Sequence, residues 1–160
     1  VQAGGFVGAN TQLYGHDLAM RGWLGLMGAE ASWLRLYEPS SRTLDQLDLL
    51  RGSVTGVFIA EKWVEANVLL GVDLLHGHDW TPAFGPGAEV RTYPTSHFTV
   101  AGSFRASIFF EAGPPLLDSK LETGVTFGRL DFRVGGRWLY QYQTASVFGP
   151  VASIVIRLGP

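Results

Sequence analysis

The sequence predicts an all-β fold, a closed antiparallel up-and-down transmembrane β-barrel, and three observations carry that reading. From Leu130 to Tyr142 the even positions (Leu130, Phe132, Val134, Gly136, Trp138, Tyr140, Tyr142) bear no charge, whereas the odd ones include Asp131, Arg133, Arg137 and Gln141. A period of two means a long strand with one oily and one polar face. Further segments repeat the pattern, and no apolar run approaches the ~18 residues of a membrane-spanning helix. Inside a bilayer such strands satisfy their backbone hydrogen bonds only by closing into a barrel, so the expected address is the outer membrane of a Gram-negative bacterium.

The elements follow in order. The first 47 residues look extended but switch parity around Ala29 to Ser32, and are read as one or two long strands. From 50 to 60, Leu50, Gly52, Val54, Gly56, Phe58 and Ala60 oppose Arg51, Ser53, Thr55, Val57 and Ile59. Glu61 and Lys62 then mark a short hairpin. From 63 to 74, Val64 through Leu74 in steps of two oppose Glu65, Asn67 and Asp73. Residues 84 to 92 suggest a shorter strand with Glu89 and Arg91 on one side. From 98 to 110, Phe98, Val100, Phe104, Ile108 and Phe110 face away from Thr99, Ser103, Arg105 and Ser107. From 119 to 127, Leu121, Val125 and Phe127 oppose Lys120, Glu122 and Thr126. Parity flips at Gly128 and Arg129, the signature of a tight turn or bulge. The last segment sets Ala152, Ile154, Ile156 and Leu158 against Ser153 and Arg157, with Pro150 expected at a bulge or at its start. Loops are expected at 38–46, with room for a turn of helix, at 76–87 and at 112–119. The count is eight strands most naturally, or ten if 19–37 and 137–158 each fold back.

At 160 residues the chain suits one β-barrel domain spanning 1–160. Charged residues are 16% of the chain, and Lys62 and Lys120 are its two lysines, too little charge for a sheet facing water. The formal net charge of −2 gives no reason to expect nucleic acid. Zero cysteine removes disulfides, thiolate metal sites and Cys nucleophiles. Opening at Val1 without a signal segment suits a mature secreted form or an excised domain.

The same alternation would fit a soluble lipocalin-like binder of small ligands, with the oily side inward. The two readings differ in their polar face. Here that face is mostly Ser, Thr, Gly and Ala with single charges, the mix a narrow lumen needs. Arg51, Arg105, Arg133, Arg137 and Arg157 stand against Glu65, Asp73, Glu122 and Asp131, close enough to balance for an internal ion-pair network. Trp23, Trp33, Tyr37, Trp63, Phe98, Phe110, Trp138, Tyr140 and Tyr142 lie near strand ends, where interfacial girdles belong. In these features residues 48–158 resemble small bacterial outer-membrane β-barrels of the eight-stranded type. The chain departs from them at SIVIRLGP, which lacks the terminal aromatic residue common in that group.

Candidate chemistry is sparse. His76, His78 and Asp79 in one loop, a second pair at His16 and Asp17, and the adjacent Ser96 and His97 are the groups to test for metal binding or hydrolysis. Some small barrels that this chain resembles in size are lipid A deacylases or palmitoyltransferases using His with Ser and an acid. The bland alternative, polar loop residues in water, is favoured because no nucleophile is fixed beside a base. GPG at 85–87 and GG at 135–136 lack the strand-to-helix context of a phosphate loop and read as turn and bend glycines. With eight strands, side chains fill the interior, so a plugged core is expected rather than an anion path. The resulting expectation is a barrel, porin-like in wall pattern, that acts without catalysis or cofactor as a membrane anchor or envelope-assembly subunit. Its expected partners are membrane lipid and neighbouring envelope proteins. A lipid-modifying hydrolase or acyltransferase and the soluble binder are the alternatives.

Overall fold

The computed structural model describes residues 1–7, 14–39, 44–77, 79–111, 113–142 and 145–156. Every regular element among them is a strand: β1 (Gln2–Val7), β2 (Tyr14–Leu24), β3 (Met27–Pro39), β4 (Leu44–Glu61), β5 (Val64–His76), β6 (Trp80–Phe84), β7 (Gly87–Thr95), β8 (Phe98–Phe109), β9 (Leu116–Phe127), β10 (Leu130–Gln141) and β11 (Ala145–Ile156). β6 and β7 form one stave in unbroken register along β5, from Val72↔Phe84 to Leu69↔Gly87. They part only at Gly85 and Pro86, where a Cβ on Gly85 would strike the side chains of Asp73 and Arg105. The interruption makes room for that pair.

Each strand pairs antiparallel with its neighbours, and β1 pairs with β11 while β4 pairs with β5, so the sheet closes into a ten-stave barrel. The count is therefore ten rather than eight. Both long segments fold back: the 19–37 segment at Gly25 and Leu26, and the 137–158 segment between Gln141 and Ala145. The cross-strand partners run from Thr126, bonded to His97, through Asp131, Val155, Gln2, Ala19, Ser32, Arg51, Asp73 and Ala83 to Phe109. One circuit thus shifts β8 by 12 residues, from 97 to 109. A stagger of this size tilts the strands by roughly 40°.

The two ends differ. At one, residues 25–26, 62–63, 96–97 and 128–129 make two-residue hairpins, with Gly25 and Gly128 at φ near +60°, a conformation that favours glycine. The other end carries the longer connections. We call these the turn end and the loop end.

Some expected boundaries move. Only 40–43 lies between β3 and β4, β6 occupies part of 76–87, and β9 begins at Leu116. Pro150 sits inside β11 opposite Gly136. A bulge at Phe58 steps the pairing from Val57↔Asn67 to Ile59↔Ala66. The extra residue flips the parity, so Ile59 faces outward rather than joining the polar side.

Candidate functional site

Alternation along each stave sorts the side chains into an outer wall and a lumen. The outer wall is apolar: Val68, Leu70, Val72, Phe104, Ile108, Leu121, Phe132, Val134, Phe148 and Ile154 are all exposed on it. Buried charges fill the lumen in layers.

The upper charged layer, toward the loop end, is built around two aspartates. Asp73 is fully buried; Arg105 binds it through Nη2 and through Nε at 3.2 Å, Ser107 donates to it at 2.6 Å, and Arg51 Nε lies 3.8 Å away. Asp118 accepts from Arg137 Nε at 2.9 Å and Nη2 at 2.6 Å and from Arg51 Nη1 at 2.6 Å. Asp17 stands 3.4 Å from Arg137 and 3.6 Å from Lys120. The lower layer, toward the turn end, joins Arg21 to Glu30 and Glu89, Arg91 to Glu89 at 2.6 Å, and Arg133 to Asp131 at 2.5 Å. Lys120 also reaches Glu122 at 3.2 Å, which accepts from Ser153 at 2.7 Å. Such pairs stabilise mainly by leaving no buried charge alone, because desolvation offsets much of their attraction.

Above the upper layer the lining changes abruptly. The next inward residue is Leu49 after Arg51, Leu75 after Asp73, Leu116 after Asp118 and Leu139 after Arg137. Leu34, Leu36, Leu49, Leu139 and Val147 pack together, with Leu47, Leu75 and Leu116 against them, as an apolar plug inside the loop end.

All but one of the sequence-predicted lumen residues lie among the described residues. Arg51, Asp73, Arg105, Glu122, Asp131, Arg133 and Arg137 line the lumen in ion pairs, and Glu65 accepts from Asn67 at 2.6 Å near the turn end. Arg157 lies outside the described residues. The network also contains Asp17, Arg21, Glu30 and Asp118, which the sequence reading did not gather. Asp118 fell in an expected loop, and parity was unread in the first 47 residues.

The histidines do not converge. His76 ends β5 on the outer wall, stacked on Trp80 at 4.3 Å, and Asp79 is exposed in the following bend. His78 lies outside the described residues. His97 occupies a hairpin at the opposite end, where its Nδ1 shares a 2.9 Å hydrogen bond with Ser96 Oγ in the open. The candidate rim groups thus lie at opposite ends of the barrel, His76 and Asp79 at the loop end and Ser96 with His97 at the turn end. His16 and Asp17 are adjacent on β2 and so face opposite sides of the wall: His16 packs edge-on to Trp33, and Asp17 points inward. Among the described residues no group of His, Asp and Glu could hold a metal ion.

Among the described residues the outer wall carries a polar cluster at the loop end. Asp48, 6% exposed, accepts from Arg35 at 2.6 and 3.1 Å, Trp33 Nε1 at 2.8 Å and Gln46 at 2.6 Å. Arg35 also lies 4.6 Å over the Trp33 ring, and Tyr14 stacks on Tyr37 nearby. Trp138 Nε1 donates to Ser146 on the far side of the same rim. Trp23, by contrast, shares the inner face of β2 with Arg21, 5.8 Å from its ring. Comparison with known families, curated proteins and solved structures returns no match.

Proposed function

We propose that this chain is a bacterial outer-membrane β-barrel that works without catalysis, as a membrane anchor or as a subunit of an envelope assembly. One observation carries the reading: polarity is inverted, with an apolar wall outside and ion pairs inside. In water that wall would be a continuous apolar patch far larger than monomers expose, whereas lipid is its natural solvent. Staves of 12 residues, at ~3.4 Å each and ~40° tilt, rise roughly 30 Å, the thickness of a bilayer core. Aromatic side chains flank that span, with Trp33, Tyr37, Trp80, Trp138 and Tyr140 toward the loop end and Phe58, Trp63, Phe98 and Phe127 toward the turn end. Short turns at one end and longer loops at the other match the periplasmic and external faces of such barrels. The charged lumen runs against a soluble binder, which needs an empty apolar cavity.

The expected result is a folded chain that requires detergent micelles and shifts in gel mobility on boiling. A monodisperse, detergent-free monomer with no shift would refute the proposal. His76→Ala and His97→Ala are expected to leave lipid A acylation unchanged in cells making the protein. An altered acyl pattern would instead favour the lipid-modifying enzyme.

A further inference from the structure

We propose that the barrel is a closed channel: a wet lumen entered from the turn end and shut at the loop end by the apolar plug. A vestibule of about 750 Å³ sits at the turn end, walled by Arg21, Glu30, Glu65, Arg91, Tyr93 and Arg133. Beyond it lies an inner chamber of about 120 Å³ whose wall includes Asp17, Arg51, Lys120, Glu122 and Arg137. The two share Gln2, Ala19, Arg21, Glu30 and Arg133, so the vestibule and the chamber adjoin through these side chains. A polar chamber of that size holds about four waters at ~30 Å³ each. Among the described residues Arg51 Nε and Nη2 and Asp17 Oδ1 accept or donate no hydrogen bond, the condition that internal water relieves. Leu34, a member of the plug, forms part of the chamber wall.

The change of lining makes this plug more than filler. Four strands each exchange a charge for a leucine at the next inward position, which gathers the apolar side chains into one cluster, two inward positions deep on β3 and β4, at the loop end of a lumen that elsewhere carries charges. An apolar constriction in a polar conduit stops water and ions by dewetting. Charged side chains recur along the wall from the turn end up to this cluster, and the cluster itself is the barrier.

The inference rests on the membrane-barrel reading, and the absence of cysteine makes it directly testable. Ala19→Cys places a thiol on the wall shared by vestibule and chamber. Lys62→Cys at the turn end and Gly77→Cys at the loop end report orientation in reconstituted vesicles. With a membrane-impermeant cationic methanethiosulfonate, Ala19→Cys is expected to react from the Lys62→Cys side and not from the Gly77→Cys side. Leu49→Ser with Leu139→Ser is expected to admit reagent from both sides and to conduct small ions across planar bilayers, where the parent is silent. A thiol at 19 that reacts from neither side would show a dry post, and reaction from the loop side in the parent would show no barrier; either overturns the proposal. So does a double variant that stays one-sided while keeping its mobility shift on boiling. Loss of that shift in the parent would instead count against the membrane reading.

Discussion

Asp73→Ala is expected to destabilise the barrel by about 3–5 kcal/mol, the cost of breaking a buried pair from one side. The fully buried carboxylate holds the Arg105 guanidinium and the Ser107 hydroxyl and lies within reach of Arg51. Without it, Arg105 keeps a buried charge whose remaining partner is Ser53, at 3.3 Å. Asp73→Leu with Arg105→Met removes both charges and is expected to recover most of the loss, since apolar replacement of a whole buried pair is often neutral or better. Denaturant midpoints of the boiling-sensitive band read both variants, with Asp79→Ala as an exposed control expected within ~0.5 kcal/mol of the parent. A loss below ~1 kcal/mol for Asp73→Ala would mean that water already carries the charge, and the ion-pair account of the lumen would fall.

Gly135→Ala and Gly71→Ala are expected to cost more than about 3 kcal/mol or to prevent closure, above the ~1–3 kcal/mol usual for overpacking. An added Cβ at Gly135 would overlap the Leu121 carbonyl oxygen and press on Glu122 Cα at 2.7 Å; at Gly71 it would overlap the Gly52 carbonyl oxygen and press on Ser53 Cα at 2.7 Å. Those atoms are backbone of the adjacent stave and cannot turn aside, so the ladder itself must open. Gly52→Ala and Gly56→Ala meet nothing within 4 Å and are expected to leave stability almost unchanged. Equal effects from the two pairs would show that the wall does not bend sharply at 71 and 135.

How much of this was legible follows from where the lining alternates in one sense. Along β5, β8, β9 and β10 the charges keep to one parity, so Asp73, Arg105, Glu122 and Arg137 could be assigned to a common face from spacing alone. Near the loop end the sense reverses. Leu34, Leu36 and Leu49 point inward into the plug while Arg35 and Asp48 point outward to Trp33 and Gln46. A chain that is oily outside at one height and oily inside at another shows no consistent parity, which is why the first 47 residues could not be phased. The strand count went astray for a related reason. The hairpin at Gly25 and Leu26 lies in the run WLGLM, whose apolar residues give no polar punctuation. The Phe58 bulge was hidden because parity reports faces, and a single extra residue is silent until its partner strand is known.

The pairing of β1 with β11 has a consequence for how the molecule comes into being. Gln2 meets Val155 and the Val1 nitrogen donates to the Ile156 carbonyl at 2.8 Å, so the seam joins residues separated by almost the whole described sequence. Every other junction links strands that are close in sequence and can form as neighbouring hairpins. The seam cannot close until the last strand exists, and contacts of such sequence separation form slowly. Through that interval two unpaired edges stay open, ready templates for another chain, so a nascent barrel of this topology depends on whatever shields those edges until they find each other.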